Sequence, residues 1–397
     1  MWSIRANRTK NQKAFNMTTR FHWLLLLLAC IISVAIHAQN DQFGSLNIGD
    51  PAPPLKVSLW IKGEPIQRFE KGRIYVVEFW ATWCKPCIAA MPDLSVLASE
   101  YKDRVTFLGI DIYERKTTSI EKIRSFVDSA GQRMDYNVAA DNNNLMVTGW
   151  MDASGEKAMG IPRTFVVNAE GSLAWIGHPK DLAEVLHKMV NNDWDIKEAL
   201  FKRNLDKHLR ELDDSISFEL INYSGNAYKQ DYVGKPDSAL LLVNKIVKDE
   251  PKLKYAPHIA FYTFSSLLKI NQHKAYEYGK ATMATQTYEE PAYDAIIRAI
   301  EVYSDKLSLT PKIYQLGAEG YQAQIDQIPY PDIANIYKLY DKMANWYWRA
   351  NDKSKAINAQ QKALEALKSK KDFSKADLVA FKSRLQQYKN NLVYKLP

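Results

Sequence analysis

The sequence predicts an α/β sandwich with a mixed central sheet over residues 39–195, followed by an all-α region over 196–397. Three observations carry this prediction. Short β-branched and aromatic runs alternate with amphipathic stretches up to about residue 190. The last two runs are separated by a Glu170-Gly171 turn, which reads as a hairpin. Beyond Trp194 the strand signals fade and charge rises. At ~150 residues per domain, 397 residues make two or three domains. With 46% apolar and 25% charged residues, the composition excludes wholesale disorder, collagen and a many-span membrane protein.

Residues 1–38 carry five basic residues and no acid, and 23–36 (WLLLLLACIISVAI) is an uninterrupted apolar run. Its helix would be about 21 Å long, short of a hydrocarbon core of about 30 Å. A basic start, a short apolar stretch and a small residue before polar sequence describe a secretory signal peptide. Cleavage after Ala38 leaves Gln39 as the new terminus, and Met17 offers an alternative start. Two other readings stand beside this one: a lipoprotein with lipidated Cys30, or a retained anchor. All three deliver the chain to the periplasm or cell envelope, where disulfides persist. Without the leader the charge falls from +8 to +3, so nothing here suggests a nucleic-acid partner.

Along 39–195 the elements follow in order. Residues 74–80 (IYVVEFW) and 105–112 read as buried strands. Residues 86–101 read as a helix with Ile88, Met91, Leu94, Leu97 and Ala98 on one face, and 119–130 as a second helix. Residues 136–140 form a short strand and 144–151 a short helix. The hairpin is 164–168 with 173–176, and 181–190 closes the unit as a helix. This part holds 17 basic and 21 acidic residues, whereas 196–397 holds 31 and 24. The second part reads as amphipathic helices broken at Gly234-Lys235-Pro236, Glu250-Pro251, Glu290-Pro291 and Tyr330-Pro331. Tyr340, Met343, Ala344, Tyr347, Ala356 and Ala363 fit one tetratricopeptide-like helix pair, with Gln360 in place of the usual aromatic residue. The expectation is an irregular array of helical hairpins.

The chemistry is read at Cys84-Lys85-Pro86-Cys87. Two cysteines three apart at a helix start can close a disulfide across the first turn. Unpaired N–H groups there favour the Cys84 thiolate, which makes Cys84 the attacking, more exposed thiol and Cys87 the resolving one. Pro86 falls where no intrahelical bond is lost. A structural disulfide closing so small a ring constrains little of the unfolded chain. A zinc site lacks further ligands, and covalent haem would need histidine where Ile88 stands. No metal or cofactor is therefore expected.

These residues carry a resemblance. LNIGDPAPPL at 46–55, VVEFWATWCKPC at 76–87, LGID at 108–111 and GIPRTFVVNAEG at 160–171 resemble the TlpA/ResA-like thiol–disulfide oxidoreductases of the thioredoxin fold. The resemblance covers 46–190. It implies that Pro162 is the cis-proline lying beside the cysteines, that the Ile161 backbone pairs with a substrate strand, and that Glu78 is a buried acid that takes the Cys87 proton. The sequence departs from the pattern in two places. Phe107 stands where thioredoxins often place a lysine, and Ala90 where some relatives carry glutamate. Trp80 and Trp83 either pack in the core or shape the partner surface. Peroxiredoxins are also similar, but Thr82 stands two residues before Cys84 rather than three, which weakens a thiol peroxidase reading.

Two functions remain. One is an oxidoreductase that reduces disulfides of partner proteins, with a membrane redox donor compatible with its location. The other is a protein-binding helical module, whose 196–397 region takes a peptide or protein and whose thioredoxin-like domain is accessory.

Overall fold

The computed structural model describes residues 46–141, 143–225, 233–287, 290–328, 335–370 and 373–391. The expected leader, with Met17, Cys30 and Gln39, lies outside the described residues, as does the Tyr330-Pro331 break. The chain divides into two compact units. One takes the described residues through Ala81, with Leu97–Gly131 and Asp135–Trp194. The other takes Thr82–Val96, Gln132–Met134 and the described residues from Asp195 onward.

The first unit is built on a mixed six-stranded sheet. Its strands are β1 (Val57–Lys62), β2 (Ile74–Trp80), β3 (Val105–Asp111), β4 (Asn137–Asp141), β5 (Arg163–Val167) and β6 (Leu173–Gly177). They lie in the order β1-β4-β3-β2-β5-β6. β2 runs parallel to β3, and β3 to β4, while β5 is antiparallel to both β2 and β6. Every residue of β2 is buried. That suits a central strand, whose two faces are both covered and which therefore reads as one apolar run. β1 has no counterpart among the sequence expectations. It is an antiparallel edge strand on β4, mostly half-buried, so it lacks the buried alternation that marks a strand.

Alternation along β2 sends side chains to opposite faces. Phe79 packs near Phe165 and Trp150, with ring centroids 5.4 and 6.2 Å away. Trp80, on the other face, stacks on Phe126 at 5.5 Å and is fully buried. The helix expected over 144–151 is a π-turn at Val147–Asp152. Its wider winding, closed by Ala153 N–H to the Thr148 carbonyl, places Val147, Trp150 and Met151 together in the core.

The cysteine-bearing helix α1 spans Lys85–Glu100. α2 (Ile120–Ala130) and α3 (Leu182–Val190) follow, and both present buried apolar faces. From Ile196 onward the chain is predominantly helical: α4 (Ile196–Ser224), α5 (Pro236–Asp249), α6 (Pro257–Ile270), α7 (Gln272–Met283), α8 (Tyr293–Tyr303), α9 (Pro311–Asp326), α10 (Ile336–Arg349), α11 (Lys353–Lys368) and α12 (Lys375–Lys389). α10 and α11 are the expected helix pair, with Met343, Ala344, Tyr347, Ala356, Gln360 and Ala363 buried. A Cβ at Gly317 would lie 2.3 Å from the Trp346 ring, so α9 and α10 approach this closely only because glycine stands there.

The helical part also contains a cap supplied across the fold. Asp213 on α4 is 2% exposed. Its carboxylate accepts the backbone N–H groups of His258 and Ile259 at 2.9 and 3.0 Å, and lies 3.1 Å from the His258 ring. These are open donors of the first turn of α6. The hydrogen bond to Asp213 raises the His258 pKa above its ordinary 6.5. Burial and Arg298 oppose that rise, whereas the charges of Asp213 and Asp214 add to it. Asp213→Ala should cost about 3 kcal/mol by leaving buried donors unpaired, read as a lower Tm. The His258 contribution is full below its unfolded pKa and fades as pH rises through its folded pKa. The wild-type advantage over this variant should therefore shrink at alkaline pH.

Candidate active site

α1 begins directly after the loop that leaves β2. Cys84 caps it, its carbonyl accepting Ile88 N–H at 3.0 Å. Pro86 sits in the first turn, where its missing N–H costs no helical bond. Cys84 and Cys87 are joined as a disulfide, with Cα atoms 5.3 Å apart. Cys87 N–H donates to Cys84 Sγ at 3.2 Å. The expected asymmetry in exposure is absent, since both cysteines are 2% exposed. The Cys84 sulfur is turned back onto its own helix, where it meets that N–H, rather than outward. The exposed neighbour is Trp83, at 45%, whereas Trp80 belongs to the core.

Glu78 lies six residues before Cys84, inside the central strand, and is 3% exposed. The β2–β5 register sets it directly opposite Thr164, so both side chains share a face. Thr164 Oγ1 donates to Glu78 Oε2. Glu78 Oε1 is buried and has no hydrogen-bond partner among the described residues. Burial pushes the Glu78 pKa up from 4.5 to about 8, against the opposing pulls of the Thr164 hydroxyl and the Arg163 charge. Phe107, at the position where thioredoxins often place a lysine, is itself buried.

The Ile161–Pro162 peptide bond is cis, as the resemblance implies. Pro162 is buried and Ile161 half-buried. Gly160 before them has φ +75°, a backbone region that glycine enters without a Cβ penalty.

Four residues of this neighbourhood were not read from the sequence as site residues. Thr164 sits inside the quoted GIPRT match, but only strand register shows that it faces Glu78. Arg163 and Glu156 form a buried ion pair at 2.6 Å. Asp111 ends β3 opposite Trp80 and is 4% exposed. Burial first, then the Glu114 charge and hydrogen bond and the Asp141 charge, push its pKa to about 9. The LGID match contains Asp111 but gives no sign of the acids around it.

Residues 48–176 match the sequence profile of the AhpC/TSA family. Protein FixW of Rhizobium leguminosarum is 37% identical over 155 residues, which are 38% of this chain and 69% of that protein. The thiol–disulfide oxidoreductase ResA of Oceanobacillus iheyensis is 31% identical over 117 residues, which are 28% of this chain and 58% of that protein. The solution structure of a thiol:disulfide interchange protein from Bacteroides sp. aligns with 37% of this chain and 92% of its own, at 22% identity and a TM-score of 0.31. A Glu78-bearing central strand, a disulfide across the first turn of the next helix and a cis-proline before β5 stand together with these relatives. The chain belongs to the TlpA/ResA-like family of thioredoxin-fold thiol–disulfide oxidoreductases and is an enzyme of that class.

Proposed function

We propose that Cys84 and Cys87 are a redox-active pair that reduces disulfides of partner proteins in the periplasm or cell envelope. The observation that carries this reading is the Cys84–Cys87 disulfide across the first turn of α1, reached directly from the strand that buries Glu78. In the reduced enzyme, the Cys84 thiolate attacks one sulfur of the partner disulfide and releases the other as a thiolate. Cys87 then gives its proton to Glu78 and attacks Cys84 Sγ, which frees the second partner thiol. The enzyme leaves this exchange as the Cys84–Cys87 disulfide, and a dithiol donor must reduce it again. A carboxyl titrating at about 8 is close to a free thiol, near 8.5, so the proton moves between groups of similar affinity.

In this reading Pro162 keeps a backbone donor away from the sulfurs, the Ile161 backbone pairs with an extended partner segment, and Trp83 offers an apolar contact. The address is the leader of residues 1–38. Residues 39–195 are the catalytic domain, and 196–397 recruit partners. The helical region contains a trough of about 430 Å³ lined by residues including Arg298, Glu301, Tyr321 and Lys342. A peroxidase reading is not favoured, because Thr82 is misplaced for that chemistry and the relatives named above include a thiol–disulfide oxidoreductase.

Dithiothreitol-dependent reduction of insulin tests this function. Wild type should accelerate it and Cys84→Ala should fall to the uncatalysed rate. Equal rates for the two would remove the reading.

A further inference from the structure

We propose that the buried Glu156–Arg163 ion pair positions the loop that presents Ile161 to a protein substrate. The inference rests on the functional reading above and assigns these two residues to recognition of the partner backbone.

Arg163 is the first residue of β5, immediately after cis-Pro162, and Glu156 opens the 3-10 turn Glu156–Met159. The pair therefore ties together the two ends of an eight-residue loop containing Met159, Gly160, Ile161 and Pro162. The two side chains are 3% and 4% exposed, with Arg163 Nη2 2.6 Å from Glu156 Oε2. Arg163 stands opposite Phe79 in the β2–β5 register, on the face that also carries Phe165 and Trp150. A pair of apolar side chains would suit such surroundings.

Stability alone does not favour two charges there. Removing each from water is unfavourable, and a well-packed apolar replacement is often as stable or more so. An ion pair adds direction, because a guanidinium and a carboxylate hold one geometry where apolar groups slide. The loop needs such a constraint, since Gly160, at φ +75°, lacks the side chain that would restrict its backbone. The next residue, Thr164, is fixed on the opposite face by its bond to Glu78. The start of β5 is thus held from both sides, and the position of the Ile161 backbone follows from it.

The test compares full-length wild type, Glu156→Gln and Arg163→Lys, with thermal unfolding to establish folding. Insulin serves as the protein disulfide and 5,5′-dithiobis(2-nitrobenzoate) as a small disulfide with no backbone to pair. Glu156→Gln should raise KM for insulin about tenfold with kcat little changed, because a displaced loop weakens alignment. The rate with the small disulfide should stay within about twofold, since no strand pairing enters that reaction. Arg163→Lys, which keeps the charge but loses the planar fork, should fall between wild type and Glu156→Gln. An unchanged insulin KM in folded Glu156→Gln would overturn the proposal, and so would an equal loss on both substrates. If Glu156→Gln does not fold, Arg163→Lys decides by the same two criteria. Wild type inactive on both disulfides would instead refute the underlying functional reading.

Discussion

Cys87→Ser is expected to accumulate mixed disulfides with partner proteins through Cys84, whereas Cys84→Ser accumulates none. Cys84 caps α1 and receives the Cys87 N–H, so a thiolate formed there keeps a donor and the positive end of the helix. Cys87 is one turn further in and bonds to the same sulfur in the oxidised protein. Its attack on a mixed disulfide is intramolecular, which is worth an effective concentration of about 10⁵ M or more. Without it, the covalent complex should outlast the wild-type one by at least about a thousandfold. Non-reducing electrophoresis and mass spectrometry of the trapped species check this. Partners attached to Cys87 in the Cys84→Ser protein would reverse the assigned roles.

Glu78→Gln should stabilise the protein at neutral pH while slowing its chemistry. The folded acid titrates at about 8 against 4.5 unperturbed, so between those values the folded state holds a proton that the unfolded state has lost. Stability from this group is therefore complete below about pH 4.5 and is lost as pH rises through 8. At pH 7 the loss is about 3 kcal/mol, and glutamine, which does not ionise, escapes it. Denaturant unfolding from pH 5 to 9 should show a falling wild-type curve and a flatter variant. Asp111, raised in the same direction, supplies the slope that remains. Release of the mixed disulfide should slow about a hundredfold, the usual contribution of one positioned acid–base group. Parallel stability curves would mean that Glu78 is ionised in the folded state, and an unchanged release rate would remove it as the acceptor.

Much of the sheet was legible because β2, β3 and β5 are short runs of β-branched and aromatic residues, which burial on both faces requires. β1 was not, since an edge strand needs no buried alternation. The cysteine pair was visible because its chemistry depends on local spacing. Thr164, by contrast, acquires meaning only when register places it against Glu78, 86 residues earlier. Arg163 and Glu156 look like solvated charges in sequence, and the turn that buries them leaves no periodic trace. The burial of Cys84 is not legible in sequence for a related reason: spacing locates a sulfur on a helix turn but not the direction in which it points. In the helical part, Ala344, Ala356 and Ala363 marked one close helix pair, while the bond that caps α6 from Asp213 joins residues 45 positions apart.

Several features bear on the direction of electron flow. Both cysteines are 2% exposed, and burial disfavours a thiolate, which weakens the reduced, thiolate-bearing form and makes the pair a better reductant. Cys87 N–H and Lys85 pull the other way, but Lys85 is exposed and screened. Equilibration of the full-length protein with glutathione buffers, read by alkylation of Cys84 and Cys87, measures the balance directly. A potential near −270 mV, about that of thioredoxin, is expected of a reductant, whereas one near −120 mV, about that of a strong disulfide donor, would contradict it.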